Sequence, residues 1–171
     1  MSYRTVFYRG RDIHNLRKFA NGPWGMKGIS FIQLPNKKFL VFTRPQGKKG
    51  RRGKIGCKVI DSLAHLTSRA LSRADLINGQ FAHGEWGGVN EVHILEDGRI
   101  GVLAHIAKFT KNKIRHYYPM TFSLDLVTGA VSKIKIIVKR SDLPKGEAKR
   151  MDLQDVIYQI KKWKSKTICR G

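Results

Sequence analysis

The stretch that decides the fold is residues 89–106, which read VNEVHILEDGRIGVLAHI. Two apolar runs, residues 89–95 and 100–106, flank the tetrapeptide Glu96-Asp97-Gly98-Arg99. An Asp-Gly pair between apolar runs is a strong β-hairpin signal, because glycine accepts the positive φ that such turns need. The stretch therefore predicts two antiparallel strands joined by a tight turn.

Other short apolar runs follow the same design along the chain. The further predicted strands are residues 5–8, 29–34, 39–43, 117–124 and 131–138. Only residues 62–76 carry apolar side chains at helical spacing, and this stretch is equally compatible with an irregular loop. The sequence thus predicts an all-β fold.

Two of these hairpins resemble each other at an offset of 61 residues. Residues 31–34 align with residues 92–95, and residues 39–44 align with residues 100–105, so that each copy ends in a basic residue, Arg44 or His105. Repeated antiparallel units are typical of β-propeller blades, whereas two unrelated hairpins of a sandwich or barrel are the alternative. Because two blades and part of a third cannot close a ring, the propeller interpretation makes residues 1–157 an incomplete propeller of about three antiparallel blades.

The composition is strongly basic, with 34 Lys and Arg against 12 Asp and Glu and a formal net charge of +22. Such a chain attracts polyanions, and nucleic acid is the usual partner. A charge balance that no function selected, as in a truncated gene product, is the alternative. Charge alone does not separate the two.

Several classes of protein lack support in the sequence. No apolar run approaches the ~18 residues of a membrane span, and the N-terminus lacks the apolar stretch of a signal peptide. Cys57 and Cys169 lie far apart, which favours free thiols in a cytoplasmic setting over a disulfide or a zinc site. No dinucleotide-binding glycine motif and no histidine cluster at metal spacing occur, so we expect neither a cofactor nor a metal.

A glycine-rich basic segment, residues 44–56, interrupts the strands with the sequence RPQGKKGRRGKIG. Its glycines permit close backbone approach, and its cations can hold phosphate through charge-assisted hydrogen bonds. Strands flank the segment on both sides, which favours a built site for phosphate or a phosphosugar. Nucleic-acid binding and a merely solvated loop are the alternatives.

Two further polar segments carry candidate site residues. In residues 84–91, GEWGGVNE, a tryptophan could stack on a pyranose while the neighbouring carboxylates and amide bind its hydroxyls; a core tryptophan packed over glycine is the alternative. His105 and residues 115–120, RHYYPM, could converge on an anion, although each aromatic taken singly is typical of strand packing.

Taken in order, six motifs resemble domain-of-unknown-function family 1861, which includes the mannosyltransferases and phosphorylases of glycosyltransferase family 108 and is similar to glycoside hydrolase family 130. The motifs are TRPQG at 43–47, RGKIG at 52–56, EWGGVNEVH at 85–93, IGVLAHIA at 100–107, RHYYPM at 115–120 and AKRMDLQDV at 148–156. The resemblance implies a five-bladed propeller with its site at the channel mouth. It also implies transfer of mannose between β-mannosides and phosphate, or from a sugar nucleotide, with inversion.

The resemblance assigns candidate roles by motif position. An inverting enzyme that uses phosphate as nucleophile needs only one protein carboxylic acid, and cations must then hold the phosphate. The candidates for phosphate binding are Arg44, Arg52, Lys54, His105 and Tyr117. The candidates for sugar binding are Glu85, Trp86, Asn90 and Glu91, and those for the channel border are Lys149, Arg150 and Asp155.

The chain also departs from the family pattern. Members of the family are longer, and the general-acid aspartate expected in the missing front part has no match here, so no catalytic residue is assigned. After Val156 the family pattern gives way to a basic tail, residues 158–171, that we interpret as aberrant. We therefore expect a fragment of a mannoside-processing enzyme that is inactive alone. A basic nucleic-acid-binding module is the main alternative, and a non-catalytic sugar-binding remnant is a further one.

Overall fold

The computed structural model describes residues 3–158, and this part of the chain is all-β apart from short helical turns. The strands are β1 Val6–Gly10, β2 Leu16–Asn21, β3 Ser30–Gln33, β4 Phe39–Thr43, β5 Gly56–Ile60, β6 Asp75–Leu76, β7 Trp86–Ile94, β8 Ile100–Phe109, β9 Arg115–Leu124, β10 Lys135–Ile136 and β11 Asp155–Val156. The α-helical turns are α1 Gly47–Gly50 and α2 Ser68–Ser72, and 3₁₀ turns cover Leu63–His65, Arg140–Asp142 and Met151–Leu153. Of the predicted tail, residues 159–171 lie outside the described residues.

Within residues 3–158 the strands form three sheets, in agreement with the predicted all-β class. Strands β1 and β2 pair with each other, and a second sheet has the order β3-β4-β5-β6. The third sheet has the order β10-β9-β8-β7, and β11 runs parallel beside β9. Every other pairing is antiparallel. The predicted strand at 131–138 is present only as the two-residue strand β10. Before β10, pairing with β9 is limited to a single bridge between Val131 and Leu124.

The two similar hairpins have the same register. In the first, Phe31 pairs with Val41, and in the second, 61 residues later, Val92 pairs with Val102. The turn of the second hairpin contains Gly98 at φ +80°, the conformation that its Asp-Gly pair predicted. The hairpin prediction for residues 89–106 is confirmed.

Side chains that alternate between the two faces of the strands contribute to two hydrophobic clusters. Leu40 and Phe42 of β4 join Val102, Ala104 and the inward residues of β9 in the larger cluster, which lies between the second and third sheets. Val41, on the opposite side of the same strand, belongs to a smaller cluster with Leu66 and Leu71. The apolar residues at helical spacing in residues 62–76 therefore serve as core contacts from a 3₁₀ turn and the short helix α2.

Within residues 3–158, no helix has the length and apolarity needed to cross a bilayer. Cys57 is a free thiol, and burial raises its pKa.

Candidate anion-binding site

Arg44 directly follows β4, and the glycine-rich segment folds around its side chain. After Arg44 the chain makes the single helical turn α1 and returns through Gly53 to β5. Gly53 has φ +142°, and a Cβ built there would lie 2.6 Å from Arg44 Nε. Only glycine allows this close approach. The segment thus makes room for the guanidinium.

The Arg44 side chain reaches across to β7. Its Nε donates a hydrogen bond of 2.9 Å to the carbonyl oxygen of Gly87. A Cβ on Gly88 would lie 2.7 Å from Arg44 Cδ and 3.1 Å from His105 Cε1, so this glycine also leaves space for both side chains. Burial lowers the pKa of Arg44, yet a guanidinium stays charged at neutral pH. A cation is therefore held beside His105.

His105 is fixed by an amide on the neighbouring strand. The pairing of β7 with β8 shifts register between Val89 and Glu91, and this bulge leaves Asn90 free to turn its Oδ1 toward His105 Nδ1 at 2.7 Å. With the amide oxygen facing the ring, Nδ1 is the donor. Among residues 3–158, the buried Nε2 of His105 finds no hydrogen-bond partner.

His105 is a neutral base in this setting. Burial, reinforced by the positive charges of Arg44 and Lys27, lowers its pKa to about 3. Desolvation and neighbouring cations both disfavour the imidazolium. At physiological pH the histidine therefore offers Nε2 as a hydrogen-bond acceptor, because Nδ1 carries the proton and donates a hydrogen bond to Asn90, and Arg44 contributes the charge.

Tyr117 of β9 closes one side of the site. Its ring stacks on the His105 ring with centroids 4.6 Å apart and planes 14° from parallel. Burial raises the pKa of Tyr117 to about 12, although Arg44 acts in the opposite direction. The phenol thus keeps its proton at neutral pH and remains a hydrogen-bond donor.

Lys27 is a further candidate site residue, which the sequence did not reveal. Gly28, at φ +66°, faces the Arg44 side chain, since its added Cβ would lie 3.5 Å from Arg44 Cδ. The neighbouring Lys27 is exposed, with Nζ 5.5 Å from the centroid of the Tyr3 ring. Its charge is close enough to lower the pKa of His105. We call Lys27, Arg44, His105 and Tyr117 the anion cup.

The other predicted phosphate ligands lie outside these direct contacts. The Arg52 guanidinium lies over the rings of Trp86 and Phe109, 5.3 Å and 5.0 Å from their centroids. Lys54 is half-buried, and its amide donates to the Pro45 carbonyl at 3.2 Å. The structure therefore brings three of the five predicted residues, Arg44, His105 and Tyr117, into one group.

The predicted sugar-binding residues are dispersed. Trp86 is 8% exposed and packs against Phe109 with centroids 5.1 Å apart, as a core tryptophan does. Glu85 Oε2 accepts from the Ala82 amide at 2.9 Å. Glu91 pairs with His93 at 3.1 Å on the surface. Of the four, Asn90 alone touches the anion cup within the contacts described, through His105.

Of the predicted channel-border residues, Asp155 lies beside β9. Lys149 and Arg150 are exposed, and Arg150 Nε contacts Asp152 Oδ1 at 3.1 Å. Asp155, at the start of β11, accepts hydrogen bonds from His116 Nδ1 and from the Tyr118 hydroxyl. His116 and Tyr118 flank Tyr117 in sequence, so Asp155 binds the face of β9 opposite to the anion cup.

The fold and the site together define an all-β chain in which a half-buried arginine, a neutral histidine and a tyrosine lie close together where two sheets meet. Residues 1–161 match the model of the family described as "Protein of unknown function (DUF1861)". The chain belongs to this family. No curated protein matches the sequence.

Solved structures similar to this chain include two mannosyl-handling enzymes. MPT-4, a mannose phosphorylase from Leishmania mexicana in complex with a phosphate ion, is 32% identical with a TM-score of 0.80, and the match covers 90% of this chain and 48% of that one. MPT-1, a GDP-Man-dependent mannosyltransferase from Leishmania mexicana, is 31% identical with a TM-score of 0.75 over 90% and 48% of the two chains. A hypothetical protein from Leishmania major is 31% identical with a TM-score of 0.76 over 91% and 49%.

The chain thus spans about half the length of the solved structures that it matches.

Proposed function

We propose that the anion cup binds phosphate, and that this chain is part of an enzyme that transfers mannose to or from phosphate or a sugar nucleotide. The observation that carries the proposal is that Gly88 leaves space for the Arg44 and His105 side chains next to each other, while the Tyr117 ring stacks on His105. In the same proposal, the second and third sheets are blades of an incomplete five-bladed propeller, and the cup lies at its channel mouth.

The charges of the cup suit a phosphate. Arg44 and Lys27 supply two cations, which together balance a phosphate dianion. His105 adds no third charge, because its pKa is about 3, and the Tyr117 hydroxyl is a neutral donor. Hydrogen bonds from charged donors to phosphate oxygens are stronger than those between neutral groups, and partial burial of Arg44 reduces their screening.

The proposed chemistry is inverting mannosyl transfer with a β-mannoside as substrate. Phosphate attacks the anomeric carbon while one protein acid protonates the leaving oxygen, so the nucleophile needs no second carboxylate. The cup holds the phosphate and offsets its repulsion from that acid. We assign no residue of this chain as the acid and propose that the chain is inactive alone.

The experiment that tests the proposal is a calorimetric titration with inorganic phosphate, using the wild-type chain and the Arg44→Met variant. Methionine keeps much of the length of the side chain but removes the charge and the Nε donor. We expect saturable binding by the wild type and at least a tenfold loss of affinity in the variant. Equal affinity of the two proteins, or no binding by either, would contradict the proposal.

A turnover assay tests the proposed incompleteness separately. The chain is incubated with β-mannobiose and phosphate, and mannose 1-phosphate is measured. We expect none from this chain alone, and product when the N-terminal half of a longer family member is supplied as a second polypeptide. Product from the isolated chain would refute its inactivity while supporting the mannosyl chemistry.

We further propose a cytoplasmic location. Non-specific adhesion to nucleic acid stays a prediction from the +22 charge. It is checked by the steep decrease of affinity with salt that counterion release requires.

A further inference from the structure

Strand β11 is too short to hold its own position on the third sheet. It has two residues, Asp155 and Val156, which lie opposite His116 and Tyr117 of β9. The next amide, that of Ile157, donates to the Tyr117 carbonyl at 2.8 Å. So short an edge pairing provides few backbone hydrogen bonds, and side-chain contacts must stabilise it.

Two carboxylates supply those contacts. Asp155 Oδ2 accepts from both His116 Nδ1 and the Tyr118 hydroxyl. Burial, together with the hydrogen bond to Asp155, raises the pKa of Tyr118, so this phenol keeps the proton that it donates. Asp152, in the preceding 3₁₀ turn, lies 3.5 Å from Arg115 Nη2. Both carboxylates attach the segment at residues 152–156 to the first residues of β9.

The segment ends on the opposite face of β9, at the anion cup. The Tyr158 ring lies 5.2 Å from the Tyr117 ring, centroid to centroid, at an angle of 45°. Tyr117 in turn stacks on His105. The side chains of Asp155 and Tyr158 therefore lie on opposite faces of the sheet.

We propose that Asp155 is a positioning residue that clamps β11 onto β9 and thereby holds Tyr158 against Tyr117 as one wall of the anion cup. The proposal rests on the proposed phosphate binding for its functional consequence, and on the described contacts for its structural part. Asp155 itself does not touch the ligand. The proposal gives a specific role to a residue that the family resemblance places at the channel border.

A double-mutant cycle on phosphate affinity tests the functional part. Asp155→Ala and Tyr158→Ala should each weaken phosphate binding by about fivefold, the size expected for the loss of one aromatic contact. The double variant should bind no more weakly than Tyr158→Ala alone, because both substitutions remove the same wall. Tyr158→Phe should retain wild-type affinity, since the ring makes the contact. Additive losses in the double variant, or an unrescued Tyr158→Phe, would overturn the proposal.

Amide hydrogen exchange tests the structural part without any ligand. Asp155→Ala should accelerate exchange of the Ile157 amide by at least tenfold and leave the β8 amides unchanged. The matched control is Asp61→Asn, which removes a surface carboxylate paired with Lys38 at 2.9 Å, far along the chain from β9. Unchanged exchange at Ile157 in Asp155→Ala would refute the clamp.

The two readouts separate failure of the clamp from failure of the proposed function. If the wild type binds no phosphate, the proposed function is wrong, while faster exchange at Ile157 still supports the clamp. If phosphate binds but neither substitution affects it, the proposed function stands and the positioning role is wrong.

Discussion

The hairpins β3–β4 and β7–β8 have the same register and place Arg44 and His105 at equivalent positions, yet one of these basic residues is charged and the other is neutral. Arg44 remains a cation in its half-buried position, because a guanidinium holds its proton under almost any condition. His105, buried beside it, is neutral with a pKa of about 3. The same structural repeat thus supplies one charged and one uncharged group to a common site, and the residue type together with burial decides which is which.

Removal of the charged member should have the largest effect. Arg44→Met is expected to weaken phosphate binding about 100-fold, or about 3 kcal/mol, because it deletes a charged donor in a partly desolvated cup. Arg44→Lys keeps the charge but loses the hydrogen bond from Nε to Gly87. Its phosphate affinity should lie between those of the wild type and of Arg44→Met. Calorimetry at fixed ionic strength measures both. A Lys variant that binds as tightly as the wild type would show that charge alone suffices.

Because His105 is held neutral, the free energy of unfolding should decrease at acidic pH. The unfolded-state pKa of a histidine is about 6.5 and the folded value for His105 is about 3, so unfolding takes up a proton between these pH values. Stability is therefore complete above pH ~6.5 and decreases as the pH falls, by at most about 1.4 kcal/mol per pH unit and about 2 kcal/mol by pH 5. Urea unfolding at several pH values measures this.

The pH dependence of the wild type's unfolding free energy is compared with that of His105→Asn. This variant lacks the imidazole, while the carboxylates of the protein still titrate. The wild type should lose about 2 kcal/mol more than this variant between pH 6.5 and pH 5. Parallel pH profiles for the two proteins would mean that His105 is not held neutral.

A methyl group added at Gly88 should push the side chains of Arg44 and His105 apart. Gly88→Ala places a Cβ 2.7 Å from Arg44 Cδ and 3.1 Å from His105 Cε1. We expect a loss of about 1.5 kcal/mol in unfolding free energy and about a tenfold loss in phosphate affinity. Gly101→Ala is the matched control in the same hairpin, because its Cβ meets the end of the Leu95 side chain, which can move. Similar phosphate affinities for the two variants would contradict the close packing of the cup.

A negative charge beside His105 should favour its protonated form and so raise the pKa of His105. Asn90→Asp places a carboxylate at the position of the amide oxygen that faces Nδ1 at 2.7 Å, and should raise the pKa of His105 by about one unit. Nuclear magnetic resonance titration of the imidazole measures the shift. Asn36→Asp, in the turn before β4, makes the same charge change away from the cup. An unchanged His105 titration in Asn90→Asp would exclude the Asn90 contact.

Local pattern was sufficient for the β3–β4 and β7–β8 hairpins but not for the chemistry of the site. The Asp-Gly turn and its flanking apolar runs in residues 89–106 predict the antiparallel strands β7 and β8, and the 61-residue offset aligns Arg44 with His105. Nothing local marks Lys27, whose proximity to His105 depends on how the segment before β3 folds. Pattern also does not show that Trp86 is buried against Phe109, because aromatic residues beside glycine occur in cores and in sugar sites alike. The two-residue strand β11 is too short to leave a periodic signal.

The most direct test of the anion cup follows the Arg44 Nε–H and His105 ring resonances of the isotope-labelled chain during titration with phosphate. We expect both sets of signals to shift together in the wild type and to saturate at one phosphate per chain. In the Arg44→Met variant, the His105 signals should not shift on addition of phosphate. Phosphate-induced shifts confined to exposed lysines, with Arg44 and His105 unaffected, would contradict a phosphate site built from these two residues.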